Sequence, residues 1–127
     1  MLSEKQIKSI ISLPSSARYE HFIKQVADTE QIWGLYSDGW ALAAQDDGQT
    51  VFPLWSASEY AQLCVGNEWQ EYKPSSMDLT DFINEMLPSL EDDGILIGVF
   101  YLPEDKGVVV NSEQFSSDIN EELEKYN

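Results

Sequence analysis

The fold is decided by residues 32–44, which read Ile-Trp-Gly-Leu-Tyr-Ser-Asp-Gly-Trp-Ala-Leu-Ala-Ala. Two apolar runs flank the pair Asp38-Gly39, and Asp-Gly between apolar runs is a strong hairpin signal because both residues tolerate positive φ. A second acidic turn at 46–48 leads into another apolar run at 50–55. We therefore predict three strands in a meander. Pro53 lacks an N–H, so its strand should be an edge strand or be paired on one side only.

Outward from this stretch, the remaining chain alternates helix and strand signals. Residues 95–102 are apolar on both faces, which predicts a central strand, with Gly98 explained by a close contact or a bulge. Apolar residues at helical spacing predict helices before and after this strand in the sequence. One of these helices has its apolar stripe from Leu79 to Leu87, and Pro88 should end or kink it. A weak strand signal lies at residues 68–73. The predicted fold class is α+β, with an antiparallel or mixed sheet of about five strands in the order ααβββα(β)αββα.

The length of 127 residues predicts a single domain over residues 1–127. Ser3 to Gln6 form a capping box that opens a short helix. Because Leu13-Pro14 separates that helix from the next one, we expect residues 1–13 to be a loosely attached N-terminal helix.

The charge is strongly and unevenly negative. Seven basic residues face 23 acidic residues, which gives −16 at neutral pH, and residues 28–127 alone carry −18 because the first 27 residues carry +2. A nucleic-acid partner and an anionic membrane are both disfavoured, since each requires a basic surface. Two interpretations remain open: the acids keep a small protein soluble, or they form an acidic face for a basic partner.

The sequence predicts a cytoplasmic location. No signal-peptide pattern is present, and the longest apolar run has eight residues, against roughly 18 for a membrane span. The single cysteine, Cys64, excludes an internal disulfide.

The residues offer little catalytic chemistry. Cys64 lies on the apolar stripe of its helix, where a thiol acts as a small hydrophobe, and the only histidine, His21, lies off its stripe toward solvent. A Cys–His or Ser–His pair is therefore not expected. The acidic turns lack the alternating pattern of a calcium loop, and no glycine-rich phosphate loop occurs, so neither a metal nor another cofactor is predicted. Paired carboxylates in a cleft remain an alternative, because their separation in space is invisible in a sequence.

Four tryptophans stand beside or within the predicted strands, and most of them should be core residues. Trp is seldom fully buried, so one of them could anchor an interface. Trp69 is the best candidate because its neighbours, Glu68, Gln70 and Glu71, are polar.

Several of these segments together resemble a known family. They are 31–36, 39–42, 52–55 with 58–61, 79–82 and 97–100. This pattern resembles the bacterial family labelled domain of unknown function 2750, and it covers nearly the whole chain. The resemblance implies a fold but no activity, so no catalytic residue is transferred. The corner from Leu54 to Tyr60 is also similar to SseB-like domains and to certain immunity proteins, as fold analogy alone.

The preferred function is a non-catalytic, acidic protein-interaction module with a basic protein partner. One concrete form is an immunity-type inhibitor of a basic toxin enzyme, and a homodimer is left open. The alternative is a small carboxylate-using hydrolase or a ligand-binding enzyme. A cleft lined by carboxylates with shifted pKa values would favour the enzyme, and an acidic patch containing Trp69 would favour the module. The predicted partner-binding residues are Trp69, Glu91, Asp92, Asp93, Asp118, Glu121 and Glu122.

Overall fold

A computed structural model describes residues 2–66, 69–103, 105 and 107–125. Its elements follow the predicted order, with six strands and five helices in the described part, which confirms the α+β class. The strands are β1 (Gln31–Tyr36), β2 (Ala43–Ala44), β3 (Thr50–Leu54), β4 (Lys73–Asp78), β5 (Leu96–Val99) and β6 (Val108–Val110). The helices are α1 (Glu4–Ile11), α2 (Ser15–Thr29), α3 (Ser58–Gln62), α4 (Leu79–Asp81, Phe82–Met86 and Leu87–Asp92 in succession) and α5 (Ser112–Glu124).

The strands form two sheets rather than one. β1 pairs antiparallel with β4, and the second sheet has the order β2-β3-β5-β6, in which β3 and β5 are parallel. The predicted meander is therefore wrong at its first step, because β1 pairs with β4 and not with β2. The predicted hairpin at Asp38-Gly39 is reduced to one antiparallel bridge, between Tyr36 and Trp40. Within this turn, the Ser37 N–H donates to the Gly39 carbonyl at 2.9 Å.

β4 takes this place beside β1 although its sequence is polar. The weak strand signal at 68–73 is shifted, since the strand begins at Lys73. Gln31 lies opposite Asp78, and the Leu79 N–H donates to the Glu30 carbonyl at 2.9 Å, so the register is continuous with the start of α4. Backbone pairing defines this strand, and for that reason side-chain periodicity did not locate it.

β5 is the predicted central strand, with β3 on one side and β6 on the other. Pro53 lies opposite Gly98 on the β5 side, whereas β2 pairs only with Thr50 and Val51, so Pro53 is paired on one side. A Cβ at Gly98 would lie 2.5 Å from Val51 Cγ1 and 2.7 Å from Tyr101 Cε1. The close contact predicted for this glycine is therefore confirmed.

Pro88 is expected to end or kink the helix α4, and it does not end it, because α4 continues through Pro88 to Asp92. A π-helical turn, Phe82–Met86, precedes the proline, and the Leu87 N–H donates to the Phe82 carbonyl. Pro88 then opens a new α-helical segment, where its missing N–H is tolerated. The wider turn thus absorbs the break that the proline would otherwise cause.

The core lies between the larger sheet and the helices α2, α4 and α5. Phe115 of α5 packs against Phe22 of α2 and Phe82 of α4, with ring centroids 6.1 and 5.9 Å apart. Because of these contacts, α2 and α5 lie next to each other, and β6 lies beside α2. That neighbourhood positions the site described below.

α1 is attached differently from the other long helices. All eight of its residues are described, and none is fully buried, although Ile7, Ile10 and Ile11 pack against the core. The capping box at Ser3 and Gln6 is present as predicted. None of the helices within the described ranges is both long and apolar enough to cross a membrane.

Candidate functional site

The two long helices α2 and α5 border a groove of about 520 Å³ that ends at β6. Tyr19, Ile23 and Val108 contribute its apolar floor. Its walls are acidic, and we call this surface the acidic groove, defined by Glu20, Asp118, Glu121 and Glu122. Three of the seven residues predicted from the sequence thus converge here.

Helical spacing brings these side chains to one place. Asp118, Glu121 and Glu122 stand at i, i+3 and i+4 of α5, so they share one side of that helix. Tyr19 and Glu20 of α2 face them across the groove. The Tyr19 hydroxyl donates to Asp118 Oδ2 at 2.5 Å, and the Gln114 side-chain amide donates to Asp118 Oδ1 at 2.9 Å. Asp118 is therefore held in one orientation by two neutral donors.

The phenol of Tyr19 remains protonated. Burial first, and then the hydrogen bond and negative charge of Asp118, raise the pKa of Tyr19 well above its ordinary value of 10.0. Tyr19 therefore donates rather than attracting a cation itself, and the negative charge of the groove stays on the carboxylates.

The charge in the groove is only partly compensated. Lys125 Nζ lies 3.2 Å from Glu122 Oε1, and Lys24 is the other cation in the lining. The Glu122 side chain is 12% exposed and is therefore mostly buried in the groove wall. Four acids against two lysines leave a net charge of −2 over an apolar floor. A lysine or arginine side chain has the complementary character, with an aliphatic stem and a cationic end.

The second predicted run of acids, Glu91, Asp92 and Asp93, lies elsewhere. These residues are exposed at the end of α4. Glu91 lines a shallow depression with Ser112 and Glu113, on a different side of α5 from Asp118. The structure therefore separates the two acidic runs instead of joining them in one face.

Trp69 does not meet the requirement for an exposed anchor. It is 9% exposed, and its ring lies edge-on to Trp55 with centroids 6.4 Å apart. The polar residues beside it in the sequence suggested exposure, but the indole belongs to the hydrophobic core. This corrects the expectation that Trp69 lies at the rim of a binding surface; its neighbours Asn67 and Glu68 lie outside the described residues.

Cys64 and His21 do not form a nucleophile–base pair in the structure. Cys64 is half-buried; its thiol donates to the Tyr101 carbonyl at 3.3 Å, and burial raises its pKa to about 11. His21 is half-buried against the rings of Tyr60 and Phe100, which corrects its predicted orientation toward solvent. Burial lowers the pKa of His21 from its ordinary 6.5, so the imidazole is neutral at pH 7.

Glu59 and Asp105, two carboxyl groups away from the acidic groove, have lowered pKa values. A backbone bond from Leu2 lowers the pKa of Glu59, and a backbone bond from Gly107 followed by the Arg18 side chain lowers that of Asp105. A general acid would instead need a raised pKa. Within the described ranges, no three His, Cys, Asp or Glu side chains are grouped to hold a metal ion.

The family model described as "Protein of unknown function (DUF2750)" matches residues 19–119. The chain belongs to the DUF2750 family. The match starts at Tyr19 in α2 and ends at Ile119 in α5, so this DUF2750 protein carries α1, Glu121 and Glu122 outside the matched region. No curated protein and no solved structure matches the chain.

In this DUF2750 protein, the sequence did not reveal the α2 side of the acidic groove. Neither Tyr19 nor Glu20 is among the binding residues that the sequence predicts. Tyr19 and Asp118 are 99 positions apart, so their contact depends on how α2 and α5 pack. One feature of the sequence could have indicated this contact: Tyr19 places a hydroxyl among the apolar residues of its helix. A buried tyrosine hydroxyl requires a hydrogen-bond partner.

Proposed function

We propose that the protein is a non-catalytic protein-interaction module whose acidic groove binds a basic segment of another protein. The observation that carries this proposal is the convergence of Glu20, Asp118, Glu121 and Glu122 on an apolar floor between α2 and α5. A lysine or arginine inserted there would bury its stem on Tyr19 and present its charge to the carboxylates. One concrete form is an immunity-type inhibitor of a basic toxin enzyme.

The overall charge supports the same function. Residues 28–127 carry −18, so the potential around the groove attracts a cationic surface from a distance. Long-range attraction accelerates encounter, and the fixed carboxylate of Asp118 then offers a preset acceptor to the bound cation. The total charge would therefore set the association rate of the basic partner, and the groove would set the orientation in which it binds.

The compartment belongs to the same proposal. We propose a bacterial cytoplasm, where a basic enzyme would meet its inhibitor, and the one half-buried thiol of Cys64 fits a reducing environment. The carboxylate-using enzyme is less well supported, since Glu59 and Asp105 have lowered rather than raised pKa values.

Two matched triple variants test the function. The groove variant is D118N/E121Q/E122Q. The control is E91Q/D92N/D93N, which also removes three negative charges, but at the end of α4. Immobilised wild-type protein and both variants are exposed to a lysate of the native cell, and bound proteins are quantified by mass spectrometry. We expect a basic protein that is retained by the wild type and the control and is reduced by about tenfold on the groove variant.

Two results would contradict the function. Equal loss on both variants means that total charge alone is responsible, and the absence of any specifically retained basic protein means that no such partner exists in that cell. Circular dichroism of both variants establishes that the fold is unchanged before either result is interpreted.

A further inference from the structure

A second cavity, open to solvent on one side, lies on the other side of α2 and is bordered by α1, α2 and the start of α3. Its volume is about 400 Å³, within the range of sites for small molecules. His21 and Gln25 of α2 line it, and these residues point away from Tyr19 and Glu20 of the acidic groove. The two surfaces are therefore separate, and this cavity has no part in the proposed protein interaction.

The walls of the cavity are mainly apolar. Leu2 and Ile10 come from the N-terminal segment, and Ala57 and Tyr60 come from the region of α3. Tyr60 is 2% exposed and contacts Phe100 with ring centroids 4.7 Å apart, so this wall is part of the hydrophobic core. The apolar part of a bound ligand would therefore contact apolar side chains on several sides.

Polar groups at the cavity come from Lys5, Gln6, Ser9, His21 and Gln25, and each of them can donate a hydrogen bond. Lys5 contributes an ammonium group and Ser9 a hydroxyl. The Gln6 carbonyl oxygen already accepts from the Ser3 N–H at 2.9 Å in the capping box, so its NH₂ group is the part left for a ligand. A donor-rich rim of this kind suits an acceptor that carries negative charge.

The charge at the cavity is opposite to that of the whole chain. Of the described residues that line it, Lys5 alone is charged at neutral pH, because burial keeps the His21 imidazole neutral. The nearby carboxylate of Glu59 is engaged by the Leu2 N–H, which donates to its Oε2 at 3.0 Å. Among the described residues, the lining of this cavity therefore carries a cation and no acid, in a protein of net charge −16.

We infer that this cavity binds a small organic anion with an apolar body. The anionic group would meet Lys5 and the Gln6 amide at the rim, while the body would lie against Ile10, Ala57 and Tyr60. Because α1 has no fully buried residue, such a ligand would add contacts between α1 and the rest of the fold. Binding is therefore expected to hold α1 more firmly in place, which links the predicted loose attachment of residues 1–13 to the ligand.

Phenylbutyrate is the first probe, with phenylbutyramide and phenylbutylamine as the neutral and cationic analogues of the same body. The chain has one histidine, so the imidazole C–H resonance of His21 reports the cavity without ambiguity. We expect a saturable shift of this resonance with phenylbutyrate, a smaller effect with the amide and none with the amine. Octanoate and naphthalenesulfonate repeat the titration with a flexible chain and a two-ring body.

A matched pair of variants tests the role of charge. Lys5→Gln removes the cation in the cavity, and Lys8→Gln removes a cation from the same helix outside the described lining. We expect Lys5→Gln to raise the Kd for phenylbutyrate about three- to tenfold and Lys8→Gln to change it less than about twofold. Hydrogen exchange of the α1 amides should slow when the anion is bound.

Several outcomes would overturn the inference. They are equal Kd values for phenylbutyrate and its amide, equal effects of Lys5→Gln and Lys8→Gln, and no shift of the His21 resonance with any of the three anions. Unchanged hydrogen exchange in α1 at saturation would remove the link between the ligand and the attachment of this helix. None of these results bears on the acidic groove, because its variants lie on a separate surface.

Discussion

The hydroxyl of Tyr19 donates a hydrogen bond to Asp118 Oδ2 over 2.5 Å and so joins α2 to α5 across the acidic groove. The other oxygen of the same carboxylate accepts from the Gln114 side chain at 2.9 Å. Asp118 is thus held by two donors, whereas Glu121 is exposed. The groove thus contains one preset carboxylate, and the predictions below begin with the contact between Tyr19 and Asp118.

Tyr19→Phe should lower the free energy of unfolding by about 1–2 kcal/mol, because half-buried Asp118 loses a hydrogen-bond donor. Urea denaturation followed by tryptophan fluorescence measures the change. Tyr36→Phe is the control, since Tyr36 is exposed, and its effect should stay within about 0.5 kcal/mol. Equal effects of the two substitutions would mean that the contact between Tyr19 and Asp118 contributes nothing to stability.

Gly98→Ala should destabilise the protein by about 1–3 kcal/mol. The new Cβ would lie 2.5 Å from Val51 Cγ1, between the central strand and its parallel neighbour, so a side chain or the backbone must move. Gly39→Ala serves as the control because a Cβ there meets nothing within 4 Å. Thermal unfolding of both variants should rank Gly98→Ala as clearly less stable, and the reverse order would contradict the packing of β5.

His21 should make stability fall as the pH decreases below about 6.5. Burial lowers its pKa in the folded state, so the unfolded chain binds the proton more readily and gains from acidification. The loss should begin near the unfolded pKa of about 6.5 and level off below the folded pKa. Glu59 and Asp105 have lowered pKa values, so their contributions are lost only as the pH falls through their ordinary values of 4.5 and 3.8 and below.

His21→Gln isolates this effect. Denaturation of the wild type and the variant between about pH 5 and 7 should show a weaker pH dependence in the variant. Parallel curves over this range would mean that the imidazole titrates alike in the folded and unfolded chain.

Cys64 should react slowly with a thiol reagent in the native protein. Its pKa of about 11, against an ordinary 9.0, lowers the thiolate fraction at pH 8 by about a hundredfold, and partial burial adds to the protection. The same protein in denaturant is the control, and there the reaction should be fast. Equal rates in both conditions would show that the thiol is accessible and reactive, which would reopen a catalytic role for it.

The sequence predicted those features that depend on neighbouring residues. The order of helices and strands followed from apolar spacing, and the position of β5 followed from its two apolar faces. The pairing of β1 with β4 was not predicted, because residues 73–78 are polar and their partner is set by backbone register. The burial of Trp69 was missed because its neighbours in the sequence are polar, whereas its neighbour in space is Trp55.

The same distinction holds for the site. Asp118, Glu121 and Glu122 lie on one side of a single helix, and their spacing in the sequence is enough to predict this. The contribution of α2 needs the packing of Phe22 on Phe115, which brings together segments far apart in the chain. The separation of Glu91 from Asp118 also depends on where α4 meets α5, and no local pattern encodes that arrangement.

The central claim is that the acidic groove receives a basic partner, and association kinetics test it most directly. The association rate of the purified basic partner is measured by stopped-flow from low to physiological salt, with wild type, D118N/E121Q/E122Q and E91Q/D92N/D93N. We predict a rate that falls steeply with salt for the wild type, and both triple variants should associate more slowly because each loses three charges. The groove variant alone should also dissociate faster, by about tenfold, because it removes the acceptors for the bound cation. A salt-independent association rate, or equal dissociation rates for the two variants, would contradict the claim.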